Sequence, residues 1–594
     1  MSSVEECLSP MELTHTQMEV AESYDIKTGG VIKTVENNAG GQSFQVSREQ
    51  MFLRFLILGS DKPQYYAPGG DEKQSNLEHL TNILMMIEEG MGLDMVKTMI
   101  DVSVNARAPK QTYTFIALAL CSLNNDLVLK TAANDSVQKI CRIPTHLFEY
   151  IDLREKISLK MNKTTGWGKA HRRTIGRWYN EHRGSNELEL IKSCTKYANR
   201  HGYTHKDALR LCHSVPNSNA RKIIYSYLAK GFEESQKVSK KITEKSMSND
   251  SLLKIAEVLD HIIAVEEAKI LKEDDENKMC ELILKHGLVR EHVPSNLLNS
   301  KKVWIQLLKN TPLTALVRSL SKIGSIGITN DEEQCLKIVN KICDKEIIEG
   351  SKIHPIQLLS AHTIYSRGYG EKGSLSWSPN DKIVNALDQA FELSFKNVVP
   401  SNKRILNAID VSGSMTAQCN GGSGMPITCH QGAAVMALMM ARVEPFCHSV
   451  CFTISPRKDS DGYGYYSYGG TPDLTELPLR KETTLCEAFE MTQKSNFGMT
   501  DCAMPMIYAL EKKMEIDTFI VYTDSETYYG KIHPFEALKK YRREMNLPHS
   551  KLVCVGMQSN GFTIADPTDP GMLDVIGFDG ATPEIITNFS AGRI

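Results

Sequence analysis

Three short stretches of the chain carry hard oxygen donors in an order that suits a divalent cation. Asp410, Ser412 and Ser414 follow an apolar run in a D-x-S-x-S pattern, Thr500 lies in a later glycine-containing segment, and Asp524 ends a second apolar run. Two carboxylates and three hydroxyls form the set that Mg²⁺ or Mn²⁺ prefers over softer metals. Because Mg²⁺ retains several waters, Ser412, Ser414 and Thr500 can ligate directly while Asp410 and Asp524 hold the ion through water. One position then stays open for an external carboxylate or phosphate. Catalytic alternatives fail on residue type. A phosphatase built on a nucleophilic Asp needs an acid two residues further on, where this chain has Ser412. A serine nucleophile elbow needs G-x-S-x-G, whereas Asp410 and Val411 precede Ser412. The expectation is a binding device with a divalent cation, Mg²⁺ first, and not an enzyme.

A second constellation is cationic. Residues 151–250 hold 21 Lys and Arg against 10 Asp and Glu, a local net of +11 in a chain whose total is −2. Clustered cations of this kind suit a polyanion, since they release condensed counterions as they neutralise phosphates. Lys169, Arg172, Arg173, Arg177, Lys196, Arg200, Lys206 and Arg210 are interleaved with Trp167, Trp178, Tyr179, Tyr197 and Tyr203. Rings and guanidinium planes stack on unpaired bases, so the mixture points to RNA; the bland alternatives are a solvated helix face and core-anchoring rings. Lys196 with Arg200, and Lys206 with Arg210, are four apart, the spacing of one helix face. His201, His205 and His213 lack Cys or Glu partners at metal-ligand spacing. His205 is read as a hydrogen-bonding contact to RNA or as a helix-start residue beside Thr204.

These residues need elements to position them. At 594 residues the chain exceeds one domain. Residues 1–46 carry seven acidic and two basic side chains without sustained periodicity, and read as a flexible acidic leader. In an expected domain of residues 47–400, helical patterning dominates from about 47 to 360, as at 252–271, where Leu252, Ile255, Ala256, Leu259, Ile262 and Ile263 fall on one predicted face. Amphipathic helices with short connections suit a stacked helical-repeat array. From 401 to 594 short apolar runs at 404–411, 450–454, 519–522 and 552–555 alternate with predicted helices at 431–442, 485–494, 503–513 and 534–545. That alternation implies an α/β doubly wound, Rossmann-like domain with its crevice at the strands' carboxyl ends.

No apolar stretch approaches the ~20 residues of a membrane span, and the N-terminal residues lack the basic-then-apolar layout of a secretory signal. The expected location is cytoplasmic, with the nucleus as a second compartment, and no membrane partner. Fifteen scattered cysteines with no C-x-x-C pair argue for reduced thiols over a disulfide framework or zinc ribbon.

The donor set after the strands matches the metal-ion-dependent adhesion site of von Willebrand A domains. The stretches CRIPTHLF at 141–148, WYN at 178–180, HKDALRL at 205–211, LVREH at 288–292, PLTALVR at 312–318, IHP at 353–355 and SNGFTIADP at 559–567 resemble the Ro ribonucleoprotein family. In that family a TROVE module precedes a von Willebrand A domain, and the resemblance runs from about residue 47 to residue 594. It implies an all-α, HEAT-like ring with a positively charged hole. Y RNAs would bind its outer surface, and single-stranded tails of misfolded small non-coding RNAs would enter the hole, as in RNA quality control. Carried over residue by residue, it implicates His205 with its basic neighbours in RNA binding, and Ser412, Ser414 and Thr500 as direct metal ligands. Two departures from the family are the longer leader and a Tyr/Gly-rich stretch at 456–472. The competing expectation is a scaffold whose metal grips a partner protein's carboxylate.

Overall fold

The computed structural model describes residues 21–24, 31–36, 42–44, 48–59, 64–66 and 78–594. The last span is interrupted at 106, 109, 163, 183, 185, 245–247, 371–373, 418–426, 456–470, 494–499, 524–531, 558–563, 567–568 and 577–580. By contacts the chain divides into one unit of residues 1–81 with 335–594 and another of residues 82–334. This division differs from the 47–400 and 401–594 spans expected from patterning.

Within the stretch read as a leader, strands β1 (Ala21–Tyr24), β2 (Val31–Glu36) and β3 (Gln42–Phe44) pair antiparallel into a small sheet. The helix Arg48–Leu58 follows, and then β4 (Gln64–Tyr66).

Residues 82–334 are built mainly of helices packed on their sequence neighbours, as the patterning leads one to expect. The helix Asn249–Ile270 covers the predicted 252–271, but its buried stripe is rotated to Ile255, Val258, Ile262, Val265 and Ala268. Leu252 and Ala256 face outward, and His261 takes a core place through a hydrogen-bonding distance of 3.1 Å to Thr195 Oγ1. Gly231, at φ 92°, ends the helix Asn219–Lys230 and begins Phe232–Thr243. That left-handed value suits glycine at the sharp joint of a helical hairpin. Strands β5 (Asn199–Arg200) and β6 (Tyr203–Thr204) form a minimal hairpin. Its two turn residues, His201 at φ 51° and Gly202 at φ 79°, both have the positive φ that a tight two-residue turn demands.

The α/β part has strands β7 (Arg404–Asp410), β8 (Phe446–Ser455), β9 (Thr471–Glu476), β10 (Thr518–Thr523), β11 (Lys551–Gly556) and β12 (Met572–Ile576). With β4 they form one seven-stranded sheet in the order β4-β12-β11-β10-β7-β8-β9. All neighbours are parallel except β8 with β9. Every residue of β10 is buried, and so is β7 beyond Arg404, which explains their mostly apolar runs: parallel strands are covered on both faces. The four predicted helices are found at Cys429–Val443, Leu485–Gln493, Met504–Glu511 and Pro534–Glu544. Strand order reverses between β7 and β10, so their carboxyl ends flank a topological switch point, where such sheets bind ligands.

Candidate functional site

Asp410 ends β7, and register places Ile409 beside Tyr522 on β10, so the two strands deliver Asp410 and Thr523 to the same end of the sheet. Asp410 is fully buried. Its Oδ1 accepts from the Ser412 backbone N–H at 2.8 Å, and its Oδ2 accepts from the Thr523 hydroxyl at 2.7 Å. The loop then turns through the short 3₁₀ helix Gly413–Thr416, anchored by the buried Met415. Val411 N–H donates to the Phe452 carbonyl at 3.2 Å and Cys429 N–H to the Ala417 carbonyl at 2.8 Å, so the loop is fastened at both ends. Ser412 is buried while Ser414 is exposed, and their hydroxyl oxygens lie 3.1 Å apart.

Thr500 is buried at the start of the segment leading into the Met504–Glu511 helix. Asp501 beside it accepts the Ala503 N–H at 3.0 Å, and burial raises its pKa. Cys502 Sγ donates to Thr523 Oγ1 at 3.7 Å, which draws this segment to the hydroxyl that holds Asp410. Asp524, the remaining expected donor, lies outside the described residues. Beneath the loop, Asn407 is completely buried and joins three elements. Its amide nitrogen donates to the Ala437 carbonyl and to Ser449 Oγ, both at 3.3 Å, and its oxygen accepts from Tyr522 at 3.2 Å.

The donor set suits a small hard cation. Neighbouring ligands of an octahedral Mg²⁺ with ~2.1 Å bonds sit about 3 Å apart, close to the spacing of the two serine hydroxyls. Among the described residues no three His, Cys, Asp or Glu side chains gather as metal ligands.

In the helical unit, Lys169, Arg172 and Arg173 are exposed on the helix Lys169–Glu181, and Lys206 and Arg210 are exposed on the helix His205–Cys212. Those two helices pack directly on each other. Arg177 is half-buried and ion-paired with Asp135. The opposite face of the first helix buries Ile175, Trp178 and Tyr179. Trp178 donates its indole N–H to the Cys141 carbonyl at 2.7 Å, and Trp167 is likewise buried and bonded to Glu155. Trp167, Trp178 and Tyr179 are therefore core anchors, not base-stacking platforms.

Lys196 and Arg200 do not share a helix face. The helix Glu187–Lys196 stops at Lys196, and Arg200 belongs to β5, because the chain turns back through His201 and Gly202. Both nevertheless line one cleft of about 580 Å³ together with Tyr197, His201, Glu149 and Glu291.

His205 corrects a stronger expectation. It is only 3% exposed, so its ring is no surface contact. Nε2 lies 3.1 Å from the Tyr197 carbonyl, which can only accept, so Nε2 carries the proton and Nδ1 accepts from the Tyr179 hydroxyl at 2.8 Å. Burial lowers its pKa to about 4, keeping it neutral. The helix-start reading holds: Thr204 caps this helix in a reciprocal box with Asp207. Thus His205 pins the Tyr197 loop, and with it the cleft holding Lys196 and Arg200.

Sequence reasoning also missed a histidine pair. Thr195 Oγ1 lies 3.1 Å from Nε2 of both His261 and His292. Because His292 Nδ1 accepts the Val289 N–H at 3.1 Å, its Nε2 is the protonated nitrogen. Burial lowers their pKa values to about 3 and about 4. Only the apolar stripe around His261 could have signalled a core position.

A family model described as the TROVE domain matches residues 35–364, and one described as the Ro60 vWA domain matches residues 404–590. The chain is 34% identical to the RNA-binding protein RO60 of Caenorhabditis elegans over 609 aligned positions, covering 94% of this chain and 90% of that protein. It is 31% identical to the RNA-binding protein RO60 of Deinococcus radiodurans, covering 95% and 96% of the two chains. The crystal structure of the Deinococcus radiodurans RO (RSR) protein is similar with a TM-score of 0.77 at 28% identity, over 92% of this chain and all of that one.

Proposed function

Because this chain belongs to the Ro family, in which a TROVE domain precedes a vWA domain, we propose that it is a non-enzymatic RNA-binding protein of Ro ribonucleoprotein particles. Its ligands in this reading are Y RNAs and misfolded small non-coding RNAs, and its role is RNA quality control in the cytoplasm and nucleus. The relatives named as RNA-binding proteins support the general activity. The observation that carries it to particular residues is the outward placement of Lys169, Arg172, Arg173, Lys206 and Arg210 on two helices in contact. A cleft of the same helical unit brings Lys196 and Arg200 together.

In this reading the cations neutralise phosphates, Tyr197 at the cleft offers a ring edge to an unpaired base, and His205 acts by holding that loop. A divalent cation on Ser412, Ser414 and Thr500, with Asp410 and Asp524 supplying charge, would give the vWA domain a grip on an external carboxylate or phosphate. The exposed Ser414 favours a second role there as a protein-interaction site.

The test is Y RNA binding by the double variant Lys196→Ala with Arg200→Ala, measured at several salt concentrations. Loss of affinity with a shallower salt dependence is expected. Affinity equal to that of the unaltered protein would reject the cleft, and a native preparation carrying no RNA would reject the function.

A further inference from the structure

A second hollow of the helical unit, of about 520 Å³, adjoins the cleft of Lys196 and Arg200, for Thr195, Ala198 and Glu291 line both. Its volume falls in the range of small-molecule sites. Lys206, one of the exposed cations assigned to RNA above, lines it as well. Leu228, Phe232 and Val265 supply apolar wall. Phe232 is only half-buried, and it follows the joint at Gly231, where an added Cβ would meet nothing within 4 Å. The angle between the two helices therefore stands open.

The same hollow is lined by Tyr227, Glu266 and Lys269, which hold one another. Glu266 Oε1 accepts from the Tyr227 hydroxyl and from Lys269 Nζ, both at 2.6 Å, and Lys269 Nζ lies 3.3 Å from the Tyr227 hydroxyl oxygen. This network fixes the carboxylate without using it up. Among the described residues nothing donates to Oε2, and that atom is open to solvent, the Glu266 side chain being 28% exposed. Lys269 is 57% exposed, and two of its three N–H groups suffice for its partners here. An accessible acceptor thus sits beside an accessible donor, next to an apolar bed.

That pattern is the complement of a nucleobase edge, which unpaired RNA exposes and a duplex hides. Guanine fits it best. Its N1–H and N2–H both donate where the carboxylate accepts, and its O6 accepts where the ammonium donates. Uracil would set its O2 against the carboxylate, and adenine and cytosine bring a single amino group. We propose that this hollow is a base-reading subsite for one unpaired guanine of an RNA strand whose phosphates lie on Lys196 and Arg200. Glu266 Oε2 accepts N1–H and N2–H, Lys269 donates to O6, and Phe232 gives the ring an apolar surface. The proposal rests on the RNA-binding reading above and adds a choice among bases, which contacts to phosphates cannot make.

The experiment titrates full-length protein against labelled single-stranded uridine RNAs carrying one central guanosine, inosine or adenosine, or none, by fluorescence anisotropy. Guanosine should tighten binding about tenfold over the all-uridine strand, the scale of a hydrogen bond to a charged group. Inosine, which keeps N1–H and O6 but lacks the 2-amino group, should recover only part of that gain. Glu266→Gln retains an acceptor for Tyr227 and should cut the guanosine-to-uridine ratio to about twofold or less, a ratio that a general change in stability or net charge leaves alone. Lys269→Met, a change at an exposed position, should cut it too. Equal affinity for every strand, no affinity for any of them beside intact Y RNA binding, or a guanosine preference that both variants keep would overturn the subsite alone. Absence of all RNA binding by the unaltered protein would overturn the parent reading and the subsite with it.

Discussion

Thr523 Oγ1 donates to Asp410 Oδ2 at 2.7 Å, joining the carboxyl ends of two neighbouring strands that are far apart in sequence. The same hydroxyl oxygen receives Cys502 Sγ–H at 3.7 Å, so one threonine connects the first metal-loop carboxylate to the segment carrying Thr500. Replacing Thr523 by Val keeps the volume and removes the donor. The fold should lose about 1–3 kcal/mol from the underpaired buried carboxylate. Mn²⁺ affinity, followed by electron paramagnetic resonance, should fall with it.

Ser414 offers a cleaner test of the cation, because its side chain is exposed. Ser414→Ala should leave the melting temperature within about 1 °C, as surface changes typically cost under ~0.5 kcal/mol. Titration calorimetry with Mg²⁺ should show binding weakened about tenfold or more. Equal affinity would remove this hydroxyl from the coordination sphere.

The exposed pair Arg172 and Arg173 can be removed without touching Trp178 or Tyr179 beneath. Arg172→Ala with Arg173→Ala should weaken Y RNA binding and reduce the salt slope by about 1 to 2. His205→Ala should weaken binding too, but with a loss of stability, since it empties a buried site and strands the Tyr179 hydroxyl. Filter binding alongside thermal melting separates these two effects.

Buried neutral histidines give the helical unit an acid limit. His205, His261 and His292 have pKa values lowered by burial to about 4, about 3 and about 4. The unfolded chain, with histidines near the ordinary ~6.5, takes up protons first as pH falls. Stability is therefore complete above about pH 6.5 and is lost as pH drops from there towards 4, by about 1.4 kcal/mol per pH unit for each histidine. Urea midpoints measured from pH 7.5 to pH 4.5 should decline steeply below 6.5. A flat profile would mean that these rings are not buried and neutral.

Arg54 ties the N-terminal helix to the α/β part. It is 4% exposed, donates to the Pro570 carbonyl at 2.9 Å and lies 6.0 Å from the centre of the Phe589 ring. Arg54→Ala should destabilise that unit by about 2–4 kcal/mol, combining a lost charged hydrogen bond with a cavity. Differential scanning calorimetry would register a lowered transition.

Much of this architecture is legible in the residues, and the parts that are not have separate physical causes. Strands β7, β8, β10 and β11 announce themselves because strands buried on both faces carry dense apolar runs. Strands β4 and β9 lie at the sheet's edges and are short or polar, as in TPDLTE, so periodicity passes them over. Asp410, Ser412 and Ser414 could be read as a unit because one local loop carries them. The cationic segment could be read as charge but not as geometry: four-residue spacing suggested a helix face for Lys196 and Arg200, where His201 and Gly202 close a hairpin instead. His205 was misplaced because a polar residue in a basic segment looks exposed. Only the tertiary partners Tyr179 and Tyr197 make its burial affordable.

The pairing of β4 with β12 joins Gln64 to Asp574. A ribosome adding roughly 5–20 residues each second releases the first of these strands about half a minute to two minutes before the second is made. Throughout that interval the early strand has no sheet to join, and the sheet, once it arrives, is open along β12 until the waiting segment finds it. Closure of the α/β part is thus a late event in biosynthesis, and a truncated or slowly translated message would leave an adhesive border facing other nascent chains.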